Sequence, residues 1–381
     1  MTKGKKDILI ITGRYLPGYK DGGPVRSIKN LTDFLGDEYN FRILTCDRDH
    51  GDTEPYPNIC VDDWNEVGKA NVYYVEPGGF SRKIITELAN QVDLVYVCGC
   101  FSDYSINTLI AKRLGKVKKP IVIAPMGLFM PNAMKKKPIK YKGFLTVCKL
   151  LGFFNNVVWS VTSEYEEECT KAAIFKKAKC YIAEDLPRVV DTSPIQKDKV
   201  KGELKVFFIS RISPEKNLFQ NIEVLKICKS KIKFTIYGPI YNEDYWKKIQ
   251  NKIEELPSNI QVEYKGNANS EKIIEILKSE HVFLFMTIGE NFGHVIQESL
   301  AAGCPCVISN QTPWQDLEKK KAGYVFSLDN NEIFAEKLDM FAMMSEDEFQ
   351  KRVNMAHEYA IKVSNDKVKN SGYRNIFDMI D

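Results

Sequence analysis

Short apolar runs alternate with longer amphipathic stretches through this chain, and the alternation stops once and then begins again. Residues 7–12 read as a strand, 13–24 as a loop and 25–35 as a helix. Further strands are expected at 41–45, 72–75, 94–98, 121–124 and 158–161, with a helix over 105–114. A βαβα order calls for a mostly parallel sheet covered by helices. Residues 185–200 carry Pro187, Pro194 and mixed charges without periodicity, and are expected to be a linker. Beyond them the rhythm restarts, with strands at 205–210, 234–237, 260–264, 282–286 and 306–308. Helices are expected at 217–229, 245–255, 270–278 and 294–302, and the tail from Glu346 reads as helical. A chain of 381 residues is too long for one ordinary core. The expected class is therefore α/β: two Rossmann-like, doubly wound domains facing a central cleft. The first would span 1–195 and the second 200–360, with a helix at about 360–381 free to pack back on the first. Ligands of such open sheets sit at the carboxyl ends of the strands.

Composition narrows the function. With 44% apolar and 27% charged residues the profile is that of a soluble globular chain, and a net charge of +4 is too small to indicate nucleic acid. No stretch reaches the roughly 18 apolar residues that span a bilayer, and Lys3, Lys5 and Lys6 precede only a four-residue apolar run, 8–11, too short for a signal core. A cytoplasmic protein is expected. The ten cysteines lack metal-ligand spacing: Cys98-Gly-Cys100 and Cys304-Pro-Cys306 are expected to be reduced, buried thiols. No G-x-G-x-x-G follows a strand, which argues against a dinucleotide dehydrogenase.

Two local patterns carry the chemistry. Gly289-Glu290-Asn291-Phe292-Gly293-His294-Val295-Ile296-Gln297-Glu298 follows the apolar run 282–286. Glu290 falls in the loop at the strand's end. Gly293 permits close approach of backbone to a ligand, and a helix start is an anion site. Glu298 falls one turn inside that helix on the face of His294, where a carboxylate suits a ribose diol. The competing interpretation is a solvated pair of acids at a helix start, which favours acids anyway. Upstream, Ser210-Arg211-Ile212-Ser213-Pro214-Glu215-Lys216 ends another strand, and two cations there suit a diphosphate; as surface cations they would mean nothing.

Arg211-x4-Lys216 followed by Glu290-x7-Glu298 resembles the C-terminal half of the family 4 retaining glycosyltransferases, which have the GT-B fold. The loop Thr12-Gly-Arg-Tyr-Leu-Pro-Gly-Tyr-Lys-Asp-Gly22-Gly23 is similar to the family's first-strand loop, and the resemblance extends over nearly the whole chain. It implies an N-terminal acceptor-binding domain and a C-terminal domain for a nucleotide-sugar donor. Arg211 and Lys216 would neutralise the departing diphosphate, Glu290 would bond donor-sugar hydroxyls and Glu298 the ribose. Phe292, Gly293, His294 and Val295 would sit near sugar and phosphate. Gly22 and Gly23 would approach the diphosphate, and the residues after Gly238 and around 266–269 would border the base. The donor is a substrate, with UDP favoured over GDP, and neither cofactor nor metal is implied. Two features depart from the family: Pro125-Met126-Gly127-Leu128 holds no histidine where many relatives have one, and Glu184-Asp185-Leu186-Pro187 replaces an Asn-Gly turn.

The remaining signals concern the acceptor side. Asp47-Arg-Asp49 has the D-x-D pattern of metal-binding transferases, but it follows an early strand, away from the expected diphosphate site, and a loop or acceptor-side role is expected. Ser163-x-x-Glu166 reads as a helix capping box. Between Tyr104 and Ser163 there is no acid but eleven Lys and Arg. Within 134–159, Lys135, Lys136, Lys137, Lys140, Lys142 and Lys149 mingle with Phe144, Leu145, Leu150, Leu151, Phe153, Phe154 and Trp159. The segment fits peripheral docking on an anionic membrane, at the inner face of the cell membrane, or a solvated helix with one packed side. The expected activity is transfer of a hexose-type sugar to a saccharide or lipid-linked saccharide in surface polysaccharide or glycolipid synthesis. The alternatives are a nucleotide-sugar epimerase on the same fold and a non-catalytic nucleotide-sugar-binding protein.

Overall fold

The structure is a computed structural model and describes residues 4–20, 22–135, 137–268 and 272–379. Assignments made above to Asp21, Lys136, Asn269 and Ser270 lie outside the described residues. The chain divides into two compact units, one formed by residues up to Leu186 and from Lys367 onward, the other by Pro187–Asp366.

In the first unit the chain runs β1 (Asp7–Ile11), α1 (Gly23–Leu35), β2 (Asn40–Cys46), β3 (Trp64–Val67), β4 (Ala70–Val75), α2 (Arg82–Asn90), β5 (Leu94–Cys98) and α3 (Asp103–Arg113). It continues with β6 (Ile121–Ala124), α4 (Pro131–Met134), α5 (Pro138–Leu150), β7 (Val157–Val161), α6 (Glu164–Ala173) and β8 (Lys179–Ile182). The sheet order is β3-β4-β2-β1-β5-β6-β7-β8, parallel except for the antiparallel β3–β4 pair. Ile8 to Ile11 are fully buried, because a central parallel strand is covered on both faces. Their alternation divides two cores: Leu9 and Ile11 join one cluster with Leu44, Val95 and Ile123, while Ile8 and Ile10 join another with Phe41, Ile43 and Tyr96. The helix α1 carries Pro24 in its first turn and buries Val25, Ile28, Leu31 and Leu35, a stripe at helical spacing.

The second unit runs β9 (Glu203–Ile209), α7 (Leu218–Ile227), β10 (Lys231–Tyr237), α8 (Glu243–Glu254), β11 (Ile260–Tyr264), α9 (Ile273–Leu277) and β12 (Val282–Phe285). Then come α10 (His294–Ala301), β13 (Cys306–Ser309), β14 (Gly323–Phe326), α11 (Asn331–Met343) and α12 (Glu346–Lys369). Its sheet is wholly parallel in the order β11-β10-β9-β12-β13-β14. The order reverses between β9 and β12, so the crevice for a ligand opens beyond their carboxyl ends. The last helix, α13 (Gly372–Asp378), belongs to the first unit, where Tyr373, Ile376 and Phe377 join the cluster of Ile8 and Phe41. All ten cysteines are free. Seven are buried, the four of the two C-x-C pairs among them as expected, while Cys169 and Cys180 are half-buried and Cys60 is exposed. Among the described residues no helix is long and apolar enough to cross a membrane.

Candidate functional site

Beyond β9 the backbone stays paired with that beyond β10: the Ile212 N–H donates to Pro239 at 2.9 Å and the Tyr241 N–H to Ile212 at 3.1 Å. This pairing needs glycine at 238. Gly238 has φ +136°, and a Cβ there would lie 1.9 Å from the Ser210 carbonyl oxygen. The result sets Arg211 beside Tyr241, with the guanidinium 5.1 Å from the ring centroid. Among the described residues no carboxylate pairs with Arg211, and a guanidinium lying on a ring keeps its in-plane N–H donors directed sideways.

The turn after Arg211 is joined to the end of β12. Asn217 adopts the left-handed conformation (φ +55°), and its Nδ2 donates to the Met286 carbonyl at 2.9 Å. The Ile288 N–H and the Thr287 hydroxyl both donate to the Glu215 carbonyl at 3.2 Å. The buried Asn221 spans the same strand end, bonding the Leu284 carbonyl and the Met286 N–H. These bonds bring Lys216 and Glu290, 74 residues apart, into a direct ion pair. Each is about one-seventh exposed, at 13% and 14%, so the pair is only weakly screened and loss of either partner leaves a largely buried charge.

At the start of α10, Gly293 is left-handed (φ +79°), and the helix has no side-chain cap. A Cβ at Gly293 would meet Ile296 at 2.9 Å and Trp314 at 3.4 Å, so local packing as well as backbone approach demands glycine. The Trp314 indole N–H donates to the Phe292 carbonyl at 2.6 Å, and the Phe292 ring lies 4.7 Å from that of His294. His294 is buried among these rings. Val295 accepts the Ser299 hydroxyl at 2.6 Å through its carbonyl. The first N–H groups of α10 point outward along its axis, as at any helix start. One turn along, Glu298 is 2% exposed, and Arg188 Nε lies 3.9 Å from its Oε1.

In the first unit, Gly22 (φ +64°) precedes α1 and Gly23 opens it; a Cβ on either would meet nothing within 4 Å. The loop leading to them is clamped from below. The Asp49 carboxylate accepts the Tyr19 N–H at 2.8 Å and the Lys20 N–H at 3.0 Å, and the Tyr74 hydroxyl donates to the Leu16 carbonyl at 2.6 Å. Asp47-Arg-Asp49 thus takes a loop role: β1 and β2 are neighbours, so the segment after β2 passes beneath the loop after β1. Asp47 pairs with Arg48. Ser163 caps α6 by accepting the Glu166 N–H at 3.2 Å, but the Glu166 carboxylate turns to Thr162 and to the Gly127 N–H at 2.5 Å, fixing the left-handed pair Met126-Gly127.

The basic segment splits by face. Along α5, Leu145 and Cys148 are buried, whereas Ile139 (89% exposed), Leu150 (82%) and Val147 (52%) stand in solvent with Lys140, Lys142 and Lys149. Phe154 and Trp159 belong to the core and leave the surface patch.

Residues 190–362, less than half of the chain, match the family model described as glycosyl transferases group 1. No curated protein matches the chain by sequence. Among solved structures, Anabaena Alr3699/HepE in complex with UDP and glucose is similar at a TM-score of 0.62 and 14% identity, over 96% of this chain and 99% of that one. A glycosyltransferase from Rickettsia africae ESF-5 is similar at 0.65 and 15%, over 99% of both chains. WaaG, a glycosyltransferase involved in lipopolysaccharide biosynthesis, is similar at 0.62 and 11%, over 96% and 99%. The chain therefore has the GT-B fold, and its residues 190–362, with Arg211, Lys216, Glu290 and Glu298 among them, carry the pattern of glycosyl transferases group 1.

Proposed function

We propose that this chain is a retaining glycosyltransferase that moves a hexose-type sugar from a nucleoside diphosphate sugar to a saccharide or lipid-linked saccharide. The observation that carries this is the set of charges at the switch point of the second sheet: Arg211 on the Tyr241 ring, and Lys216 paired with Glu290, beside the uncapped start of α10. Negative charge grows on the diphosphate as the glycosidic bond breaks. Arg211, Lys216 and the N–H groups around Phe292, Gly293, His294 and Val295 stabilise that charge without reorganising. These fixed donors make a metal unnecessary. Glu290 accepts bonds from the donor sugar, Glu298 holds the ribose, the turn after Gly238 borders the base, and Gly22 and Gly23 let the backbone of their own loop approach a ligand. The incoming hydroxyl attacks from the face of the leaving group, with the donor phosphate taking its proton, so no enzymic nucleophile is needed.

The Anabaena relative's complex with UDP and glucose favours UDP as the first donor to test. WaaG's part in lipopolysaccharide biosynthesis is consistent with a cytoplasmic step in surface polysaccharide or glycolipid assembly. Exposed Ile139, Val147 and Leu150 beside Lys140, Lys142 and Lys149 favour an acceptor met at an anionic membrane, each lysine contributing about 1 kcal/mol near the surface. Transfer assayed in EDTA, with the anomeric configuration of the product read by NMR, tests the reaction; an inverted product or an absolute need for metal contradicts it. Salt-sensitive binding to vesicles rich in phosphatidylglycerol, lost on changing those three lysines to Glu, tests the docking face; absence of binding at low salt removes it.

A further inference from the structure

The segment that enters the second unit supplies a cation to α10. Arg188 is fixed through its backbone: its N–H donates to Gln297 Oε1 at 3.3 Å. Its carbonyl accepts from Gln297 Nε2 at 3.2 Å and from the Ser364 hydroxyl at 3.3 Å. Gln297 is fully buried, so this amide-to-backbone pairing is made away from bulk water and holds strongly. The next helix residue is Glu298, and the Arg188 side chain reaches it with Nε 3.9 Å from Oε1. That separation is longer than a hydrogen bond. Arg188 is therefore a charge neighbour that offsets the cost of burying the carboxylate without occupying its acceptor positions. One helix residue fixes where the arginine stands, and the following one receives its charge.

We propose that Arg188 is a positioning residue for the nucleotide's ribose. It keeps Glu298 buried and oriented so that the carboxylate can accept from the 2′- and 3′-hydroxyls, and so gives the site its preference for ribonucleotides over deoxyribonucleotides. The proposal rests on the donor-site assignment above and deepens it. Glu298 is the contact, and Arg188 acts through it.

Calorimetric titration of UDP and 2′-deoxy-UDP, and of GDP and 2′-deoxy-GDP, into the wild type, Arg188→Met, Arg188→Lys and Glu298→Gln tests the proposal. The wild type is expected to prefer the ribo form by roughly tenfold or more, the scale of a lost hydrogen bond to a charged group. In Arg188→Met that preference falls toward unity, the ribo form losing two contacts to Glu298 and the 2′-deoxy form only that of its 3′-hydroxyl; Arg188→Lys, which keeps the charge, restores part of it. Should Arg188→Met fail to fold, Arg188→Lys and Arg188→Gln carry the same comparison. An arginine with a structural role alone would weaken both forms equally and leave their ratio intact, which overturns the proposal. A ribo preference lost in Glu298→Gln but kept in Arg188→Met also overturns it and leaves the donor site standing. Failure of the wild type to bind any of the four nucleotides overturns the donor-site assignment, and this proposal with it.

Discussion

Both units are doubly wound parallel sheets with a switch point beside their first strand, yet they treat the loop there in opposite ways. In the first unit the loop after β1 is held from beneath by Asp49 and Tyr74, and the glycines at its end have open space around them. In the second unit the loops after β9 and β12 are tied to each other, and their side chains face one another as the Lys216–Glu290 pair. The first arrangement presents backbone; the second presents charge. On the same scaffold, function therefore follows the chemistry of the loops, with the sheet setting where they meet.

The largest expected effect separates the two units by reaction rate. Arg211→Ala should lower the rate of transfer about 100- to 1,000-fold, the usual loss when one fixed donor to developing charge is removed. Initial rates at saturating donor check this. Asp49→Ala, which frees the Tyr19 and Lys20 amides, should lower it far less, because backbone presentation is loosened while the charges remain. Equal losses would mean that the glycine loop matters as much as the charged pair of loops and would contradict this contrast.

Stability sharpens the same contrast. Gly238→Ala places a Cβ 1.9 Å from the Ser210 carbonyl and should cost about 3 kcal/mol, measured by urea denaturation. Gly22→Ala meets no neighbour and should cost only its positive-φ backbone (φ +64°, ψ −111°), about 2 kcal/mol.

A further contrast lies in pH dependence, where the units carry opposite signs. Desolvation raises Asp185 of the first unit to about 6. Between about 4 and 6 the unfolded chain has lost that proton and the folded one holds it, so this contribution to stability falls as pH rises through the window. Burial lowers His281 of the second unit to about 3; its Nδ1 accepts the Lys205 N–H, and its Nε2 donates to the Asp198 carbonyl. The folded ring stays neutral while the unfolded one protonates below about 6.5, so its contribution falls with acid. Asp185→Asn and His281→Gln should each remove one slope in denaturation series from pH 4 to 7.

The central strands were legible because a parallel strand covered on both faces appears as an unbroken apolar run, as in 8–11 and 282–285. At the sheet edges that signal fades. β3 (Trp-Asn-Glu-Val) and β8 (Lys-Cys-Tyr-Ile) have no fully buried position, and β14 begins at a glycine whose Cβ would strike the Cys306 carbonyl at 2.0 Å. The site was legible where it is local: Arg211-x4-Lys216 and Glu290-x7-Glu298 each sit on one turn or one helix start. Arg188, Gln297, Asn217 and Trp314 gave no signal. Arg188 and Gln297 meet across 109 residues, Asn217 and Met286 across 69, and no pattern in a window of twenty can encode such pairs. Asp49 was visible as part of D-x-D, but only strand order shows that it lies under the first-strand loop.

The most direct test of the charged switch point is the melting temperature of the protein with UDP, GDP, ADP and their sugar conjugates in the presence of EDTA. At least one diphosphate should raise it, by about 2.7 kcal/mol of stabilisation at a hundredfold excess over Kd, and the rise should vanish in Arg211→Ala and Glu298→Ala. No shift with any of these ligands at millimolar concentration, or a shift unchanged in both variants, would contradict the account.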